Sequence, residues 1–451
     1  MRARGARVPG PVSGERGGLS TSERHSARVR KRRALADVGR RPPPYRPGRD
    51  LSYRRPMELN PFSYEFHEDP YPTYAWLREH APIYRNETLD FWALSRFRDV
   101  MAALLDWQTY SSVGALVLER LDPKYLEAAP MMILEDPPRH DRLRALVSRA
   151  FTPRRVASLE PFVRQLSAKL LDPLVERGGG DFVKDFSNLL PMEVIFTLLG
   201  VPEADRRQLR EWIDVALDRD PDSPAIPPRA VSASMEAMRY WWQLVQDFRK
   251  HPNDGLMCAL MDAEIEAEGG GTTKLTDGEI IGFCSLIGAA GSETTTKLLA
   301  YGAVLLARHP DQRARLVADP SRLPEAVEEL FRYSSPAQYA ARNVTRDVEW
   351  YGRTVPKGSR ILLLIGSANR DPREFPDPDR FDVERRAEPP HVGLGQGVHF
   401  CLGASLARLE TRVGLEEFMK RFPRWQVDEA RCARVHMSNV HGYASVPFTR
   451  G

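Results

Sequence analysis

Cys401 has the most constrained setting of any reactive side chain in the sequence. It lies in His391-Val-Gly-Leu-Gly-Gln-Gly-Val-His-Phe-Cys-Leu-Gly-Ala-Ser-Leu-Ala-Arg408, between a glycine-rich turn and the start of a helical pattern. A helix N-terminus presents unpaired N–H groups and partial positive charge, which favours a thiolate. Gly395, Gly397 and Gly403 permit backbone angles that other residues resist and a close approach to a flat, bulky partner. A thiolate held this way could be a nucleophile or one axial ligand to an iron. No G-K-[ST] follows the glycines, which excludes a P-loop, and Val398 stands where a dinucleotide fingerprint needs its third glycine.

Three other groups could do chemistry. Gly288-Ala-Ala-Gly-Ser-Glu-Thr-Thr295 sits in the middle of a long helical pattern, where small residues cost propensity and imply close access to the backbone. Glu329 and Arg332, at i and i+3, share a helix face and can pair. His140 and Arg144, at i and i+4 after Asp136-Pro137-Pro138, do likewise.

The elements that must position these groups are mostly helical, so the expected class is mostly α (α+β). Thr276 and Glu279 have capping-box spacing and open an apolar pattern that runs to Arg308, before His309-Pro310. Helical patterns also cover Tyr71–His80 and about 138–150, 158–177, 203–218, 230–250 and 402–421. Residues 82–85 and 91–94 read as a hairpin, 347–351 and 360–365 as strands joined by a Pro356-Lys357-Gly358 turn, and 424–449 as a closing strand pair.

The chain has 451 residues, 65 Lys+Arg and 61 Asp+Glu, and four cysteines without CxxC spacing. This argues against a disulfide framework or Cys-rich zinc site and suits a reducing, cytoplasmic setting. No run approaches the roughly 18 apolar residues of a membrane span, so no membrane anchor is expected. The charge is uneven. Residues 1–56 carry 16 bases and four acids, a net of +12, against −8 for 57–451. This Arg/Pro-rich leader has few periodic apolar residues and is expected to be disordered, with Met57 as the natural beginning of a single domain. A transit peptide or a nucleic-acid-contacting arm also fits its composition. The leader is assigned no function, and no nucleic-acid partner is expected.

Gly395-x-Gly397-x-His399-x-Cys401-x-Gly403 resembles the cysteine-ligand loop of the cytochrome P450 monooxygenases, in which the thiolate binds haem iron. Leu394 departs from the family's usual Phe. Glu329-Leu-Phe-Arg332 resembles the family's E-x-x-R, and Arg380 in Phe375-Pro-Asp-Pro-Asp-Arg-Phe381 matches the arginine that completes that buried network. Ala290-Gly291-x-Glu293-Thr294 looks like its oxygen-activation sequence. The resemblance covers about residues 58–449. It implies a fold with small sheets and with haem b between the long helix and the cysteine loop. The implied roles are metal ligation by Cys401, a proton relay by Glu293 and Thr294, and propionate contacts from His140, Arg144, Arg342 and His399. The implied pocket is formed by 109–133, Ala290, 337–341 and 439–441, with Met131, Met132, Gln338, Tyr339 and Val440 as lining. The implied reaction inserts one atom of O₂ into a small hydrophobic or amphipathic substrate. Electrons would come from a separate ferredoxin and its reductase, as in soluble bacterial members. A peroxide-driven hydroxylase is a rival, but such relatives generally lack the acid–threonine pair. A haem-binding sensor without turnover is the other.

Overall fold

Thirty-two residues, Asp277–Arg308, form one helix, about 48 Å long at the standard rise. Its start is fixed by the anticipated capping box: Thr276 Oγ1 accepts from Glu279 N (3.2 Å), and the Glu279 carboxylate accepts from Thr276 N (2.9 Å). In the computed structural model the described residues are 57–148, 151–266, 271–386 and 388–451. The readings of the 1–56 leader therefore lie outside the described residues.

The central helix is buried along most of its length against helices Leu189–Leu199, Glu203–Leu217, Pro228–Lys250 and Ala404–Arg421. Small residues set the closest crossing. A Cβ on Gly414 would lie 2.9 Å from Leu299, and one on Gly302 would lie 3.0 Å from Leu415, so the helix that follows Cys401 rests directly on the central one. Leu189–Leu199 has no counterpart among the sequence expectations. It is apolar except for Glu193 and Thr197, so burial on most sides leaves little periodicity to read.

A five-stranded sheet has the order Ile83–Asn86, Phe91–Leu94, Arg360–Leu363, Ala340–Val344, Tyr110–Ser111. The first two strands form the expected antiparallel hairpin, and 360–363 runs parallel to 91–94. The expected joining of 347–351 to 360–365 is corrected. Val348–Trp350 pairs instead with Arg353–Val355 across Tyr351-Gly352, both left-handed at φ 52° and 72°, while 360–363 pairs with 340–344. At the C-terminus Trp425–Val427 pairs with Pro447–Arg450, as expected. Among the described residues, no helix is long and apolar enough to cross a membrane.

Candidate functional site

The cysteine loop is a tight reversal. Gly395 and Gly397 both sit at φ +70°, and a Cβ on Gly397 would lie 2.7 Å from the Leu104 carbonyl. Cys401 N donates to Leu394 O (2.8 Å), Phe400 N to Gly397 O (3.0 Å), and the next helix starts at Ala404. Leu394 is buried against the main core. A Cβ on Gly403 would meet nothing within 4 Å, so that side of the loop is open. Burial pushes the Cys401 thiol up, against the Gly403 N–H and the charges of Arg144 and Arg408. The expectation that a helix end alone would favour a thiolate is thus outweighed by desolvation.

Arg144 touches the cysteine loop directly. Its guanidinium donates to the carbonyls of Val398 (3.0 Å) and Phe400 (2.6 Å), so it braces the cysteine loop.

Helix Leu323–Tyr333 clamps the loop from behind. Arg332 grips Glu329 with two bonds, 2.7 and 2.8 Å, both side chains no more than 3% exposed. Arg380 does not join them. Its side chain is 65% exposed, 3.7 Å from Asp382, and only its carbonyl receives Arg332 and Arg385. The third member is Arg385, whose Nε lies 3.3 Å from Glu329 Oε1. The turn through Asp377, at φ 47°, precedes this stretch, and the side-chain direction that results cannot be read from spacing.

Asn369 carries the clamp to the loop. Its carbonyl accepts from Arg332 (3.0 Å), and its side chain accepts from Val392 N (2.8 Å) and donates to Ser335 Oγ (2.7 Å). Glu328 adds a second tie, accepting from Arg408 (2.6 and 2.9 Å) and meeting His391 Nε2 at 3.2 Å. Sequence reasoning missed Arg385, Asn369 and Glu328. The only available signal was Glu328's position beside the E-x-x-R.

On the other side, the middle of the central helix opens. Ala290 is exposed, and Gly291 and Thr294 are half-buried, in a helix otherwise sunk in the core. Cys401 and Ala289 both border the same apolar cluster. Thr294 Oγ1 donates back to Ala290 O (3.0 Å). Glu293, the next residue round, turns away into a 2.6 Å pair with Lys297, both 5% exposed. Beside them burial, then the charge of Glu293, pushes Asp214 up to about 6, against Asn188, Lys297 and Arg210.

A group of buried nitrogen-bearing side chains gathers near the cysteine loop. His140 and His399 rings lie 4.4 Å apart, and Nε2 of each is buried without a partner. Burial, Arg342, His140 and Arg144 bring His399 down to about 3. Burial lowers Arg342 to about 10, and its one guanidinium bond goes to the neighbouring Ala341 carbonyl (2.8 Å). Two unpartnered imidazole nitrogens beside the Arg342 guanidinium fit the anionic edge of a bound group, with Arg342 as its charged donor. With the open side of Gly403, the opening at Ala290 and the thiol of Cys401, the residues present fit a haem.

The implied pocket lining is only partly brought together. Met131 and Val440 are half-buried, and Val440 bridges Ala337. Met132 is buried in the main cluster, which also borders the opening. Gln338 is turned toward Gly366, and its amide donates to Ser335 O (2.6 Å). Tyr339 is buried in a separate cluster with Tyr74 and Phe91. For Gln338 and Tyr339 the pocket expectation is corrected, because each side chain has its packing partners elsewhere.

Residues 222–440 match the family model for cytochrome P450. A putative cytochrome P450 123 of Mycobacterium tuberculosis is 44% identical over 396 residues, 87% of this chain and 97% of that one. The 6-deoxyerythronolide B hydroxylase of Saccharopolyspora erythraea is 38% identical, over 79% and 90%. The structure of PksS, a cytochrome P450 of the Bacillus subtilis bacillaene polyketide synthase, matches with a TM-score of 0.78 at 32% identity, covering 87% of this chain and all of that one.

Proposed function

The chain belongs to the cytochrome P450 family and is a haem-thiolate monooxygenase, and on that premise we propose how its own residues serve the reaction. The observation that carries the proposal is the juxtaposition of a glycine-bracketed cysteine with the buried, unpartnered Nε2 atoms of His140 and His399. Cys401 would bind the iron of a haem b through its thiolate, and His140, His399 and Arg342 would hold its propionates. Arg144, Glu328 and the Glu329–Arg332–Arg385 network hold the loop. The haem, when bound, supplies dioxygen activation for RH + O₂ + 2e⁻ + 2H⁺ → ROH + H₂O. Such chemistry needs protons delivered where water is otherwise excluded. Thr294 holds a hydroxyl at the helix opening, and Glu293, paired with Lys297, is the acid that resupplies it.

The substrate is a hydrophobic or amphipathic small molecule, a reading supported by the apolar cluster that borders the opening. Hydroxylation is supported by the hydroxylase among the relatives. Electrons come from a separate ferredoxin and reductase, and the reaction belongs in the cytoplasm, where four free cysteines are at ease. The boundaries 57–451 are proposed as the catalytic domain. The test is the absorption spectrum of reduced, carbon monoxide-treated protein beside Cys401→Ala. A red-shifted Soret band in the wild type and not in the variant supports the assignment. The same band in both would refute Cys401 as ligand.

A further inference from the structure

The acid beside Thr294 is sealed from water. Glu293 and Lys297 are each 4% exposed, and the Lys297 stem packs against Gly442, where a Cβ would lie 2.6 Å from Lys297 Cβ. Lys297 Nζ lies 2.6 Å from Glu293 Oε1 without a hydrogen-bonding angle, so that oxygen keeps a free lone pair. An acid that gives up a proton must be recharged, and burial separates both of these side chains from solvent.

Helix Glu203–Leu217 brings a second carboxylate to the same place. Ile213 and Trp241 pack on Gly288, at 3.4 and 3.5 Å from where a Cβ would stand. One residue on from Ile213, Asp214 Oδ2 accepts from Asn188 Nδ2 (3.3 Å). Asn188 is held to the central helix by its neighbour, because Ser187 O accepts from Thr296 Oγ1 (2.9 Å). Asp214 is thus pinned between residues 288 and 296 of the central helix, the two levels that bracket Glu293. It is half-buried where Glu293 is buried. The charged groups that act on it are Glu293 and Lys297 across the interface and Arg210 one turn back on its own helix.

Two carboxylates therefore meet one buried ammonium. With both ionised, uncompensated negative charge would sit in a desolvated place, which favours keeping one proton between them. Asp214, up at about 6, is the one poised to hold it, and a proton donor works best when it titrates near the working pH.

We propose that Asp214 is the solvent-side entry of the proton route, passing its proton to Glu293 and recovering it from water. One O–H bond breaks at Asp214 and one forms at Glu293; the next proton comes from solvent, and no electron moves. Asp214 touches no reacting atom and acts through Glu293, so it is a positioning residue. The delivery part rests on the proton relay proposed above. The shared proton does not.

The test uses the purified full chain: wild type, Asp214→Asn, the conservative Asp214→Glu, and Glu293→Gln. Infrared titration of the resting protein follows its protonated carboxyl groups. The wild type should show a carboxyl titrating near pH 6 that is absent from Asp214→Asn and moves toward the ordinary carboxylate range in Glu293→Gln. Turnover is read with a surrogate ferredoxin and reductase and no added substrate, as hydrogen peroxide formed per dioxygen consumed. Dioxygen takes two electrons and two protons to peroxide, or four of each to water, so the ratio reports proton supply. Water formation should fall about tenfold in Asp214→Asn, less than the roughly 10²–10⁴ of a direct acid, and recover in Asp214→Glu. In the wild type it should decline as pH rises through about 6, and Asp214→Asn should lack that decline. A carboxyl near pH 6 that survives Asp214→Asn, or ignores Glu293→Gln, would overturn the shared proton. An unchanged peroxide ratio in Asp214→Asn would overturn the delivery even with the titration in place. If the chain binds no haem, the peroxide arm fails with the functional assignment, and the infrared arm still decides whether the two carboxylates share a proton.

Discussion

Arg385 and Arg380 offer a direct test of how the cysteine loop is held. Replacing each by Met keeps the aliphatic stem and removes the guanidinium. Arg385 loses a charge-assisted bond to Glu329, whose side chain is 1% exposed, and bonds to the carbonyls of Pro376 (2.8 Å), Asp377 (3.0 Å) and Arg380 (3.0 Å). A hydrogen bond to a buried charge contributes about 1.5–3 kcal/mol, and bonds to carbonyls that water can reach contribute less, so the sum is about 2–4 kcal/mol. Glu329 keeps Arg332 and the Asp382 N–H (3.0 Å), which holds the loss below the roughly 3–5 kcal/mol for breaking a buried pair outright. Arg380, largely exposed and 3.7 Å from its acid, is worth about 0–1 kcal/mol. Urea unfolding of Arg380→Met, Arg385→Met and Arg332→Met, followed by far-ultraviolet circular dichroism and by the Soret band, should rank them in that order of increasing damage. Equal or greater loss from Arg380→Met would refute the assignment of Arg385 to the network.

Acid should find the second tie. Burial opposes ionisation of Glu328, but Arg408 and His391 outweigh it and bring the carboxyl from 4.5 to about 2. A depressed carboxylate stabilises the fold above its unfolded pKa and loses that contribution as pH falls. The stability gap between wild type and Glu328→Gln should therefore be constant above about pH 4.5 and close toward pH 2; a gap that widens on acidification would contradict the pairing. At the helix opening, Thr294→Ala and Glu293→Gln should leave haem content unchanged while turnover falls by about 10²–10⁴. Electrons should then be diverted to hydrogen peroxide, read as peroxide formed per reduced cofactor consumed. Unchanged coupling in both variants would remove them from proton delivery.

Much of the site can be read from spacing where a helix does the positioning. Thr276 and Glu279 fix the start of the central helix, and i, i+3 spacing suffices to bring Arg332 onto Glu329. Reading fails where an irregular segment decides which atom faces inward. Between Phe375 and Arg385 the chain turns so that Arg380 offers its carbonyl and Arg385 its guanidinium, and residue type carries no sign of that exchange. Arg144 is correctly placed by its helix but spends both its hydrogen bonds on loop carbonyls, a choice made by the loop's shape. Gln338 and Tyr339 stand beside the Val440 bridge, yet their side chains leave for Gly366 and for the Tyr74 cluster. A resemblance assigns positions along the chain, and rotamers and turns then decide where the chemistry points.

Glu328 and Glu329 divide the work because they are neighbours on a helix. Successive side chains project about 100° apart, and here the two carboxylates meet different partners. Glu329 faces Arg332, Asp382 N and Arg385, and through Arg332 the carbonyl of Asn369, whose side chain holds Val392 N. Glu328 faces His391 and Arg408, one on each side of Cys401 in sequence. His391 Nδ1 accepts from Gly393 N (3.1 Å), which leaves Nε2 to donate to Glu328 and fixes the tautomer. One short helix thus holds the cysteine loop at both its entry and its exit, without touching the sulfur and without using the central helix. The cysteine loop is tied at both ends to Leu323–Tyr333, and the opening at Ala290 belongs to the central helix. Substitutions behind the loop can therefore move the sulfur while the proton-handling side of the site stays in place.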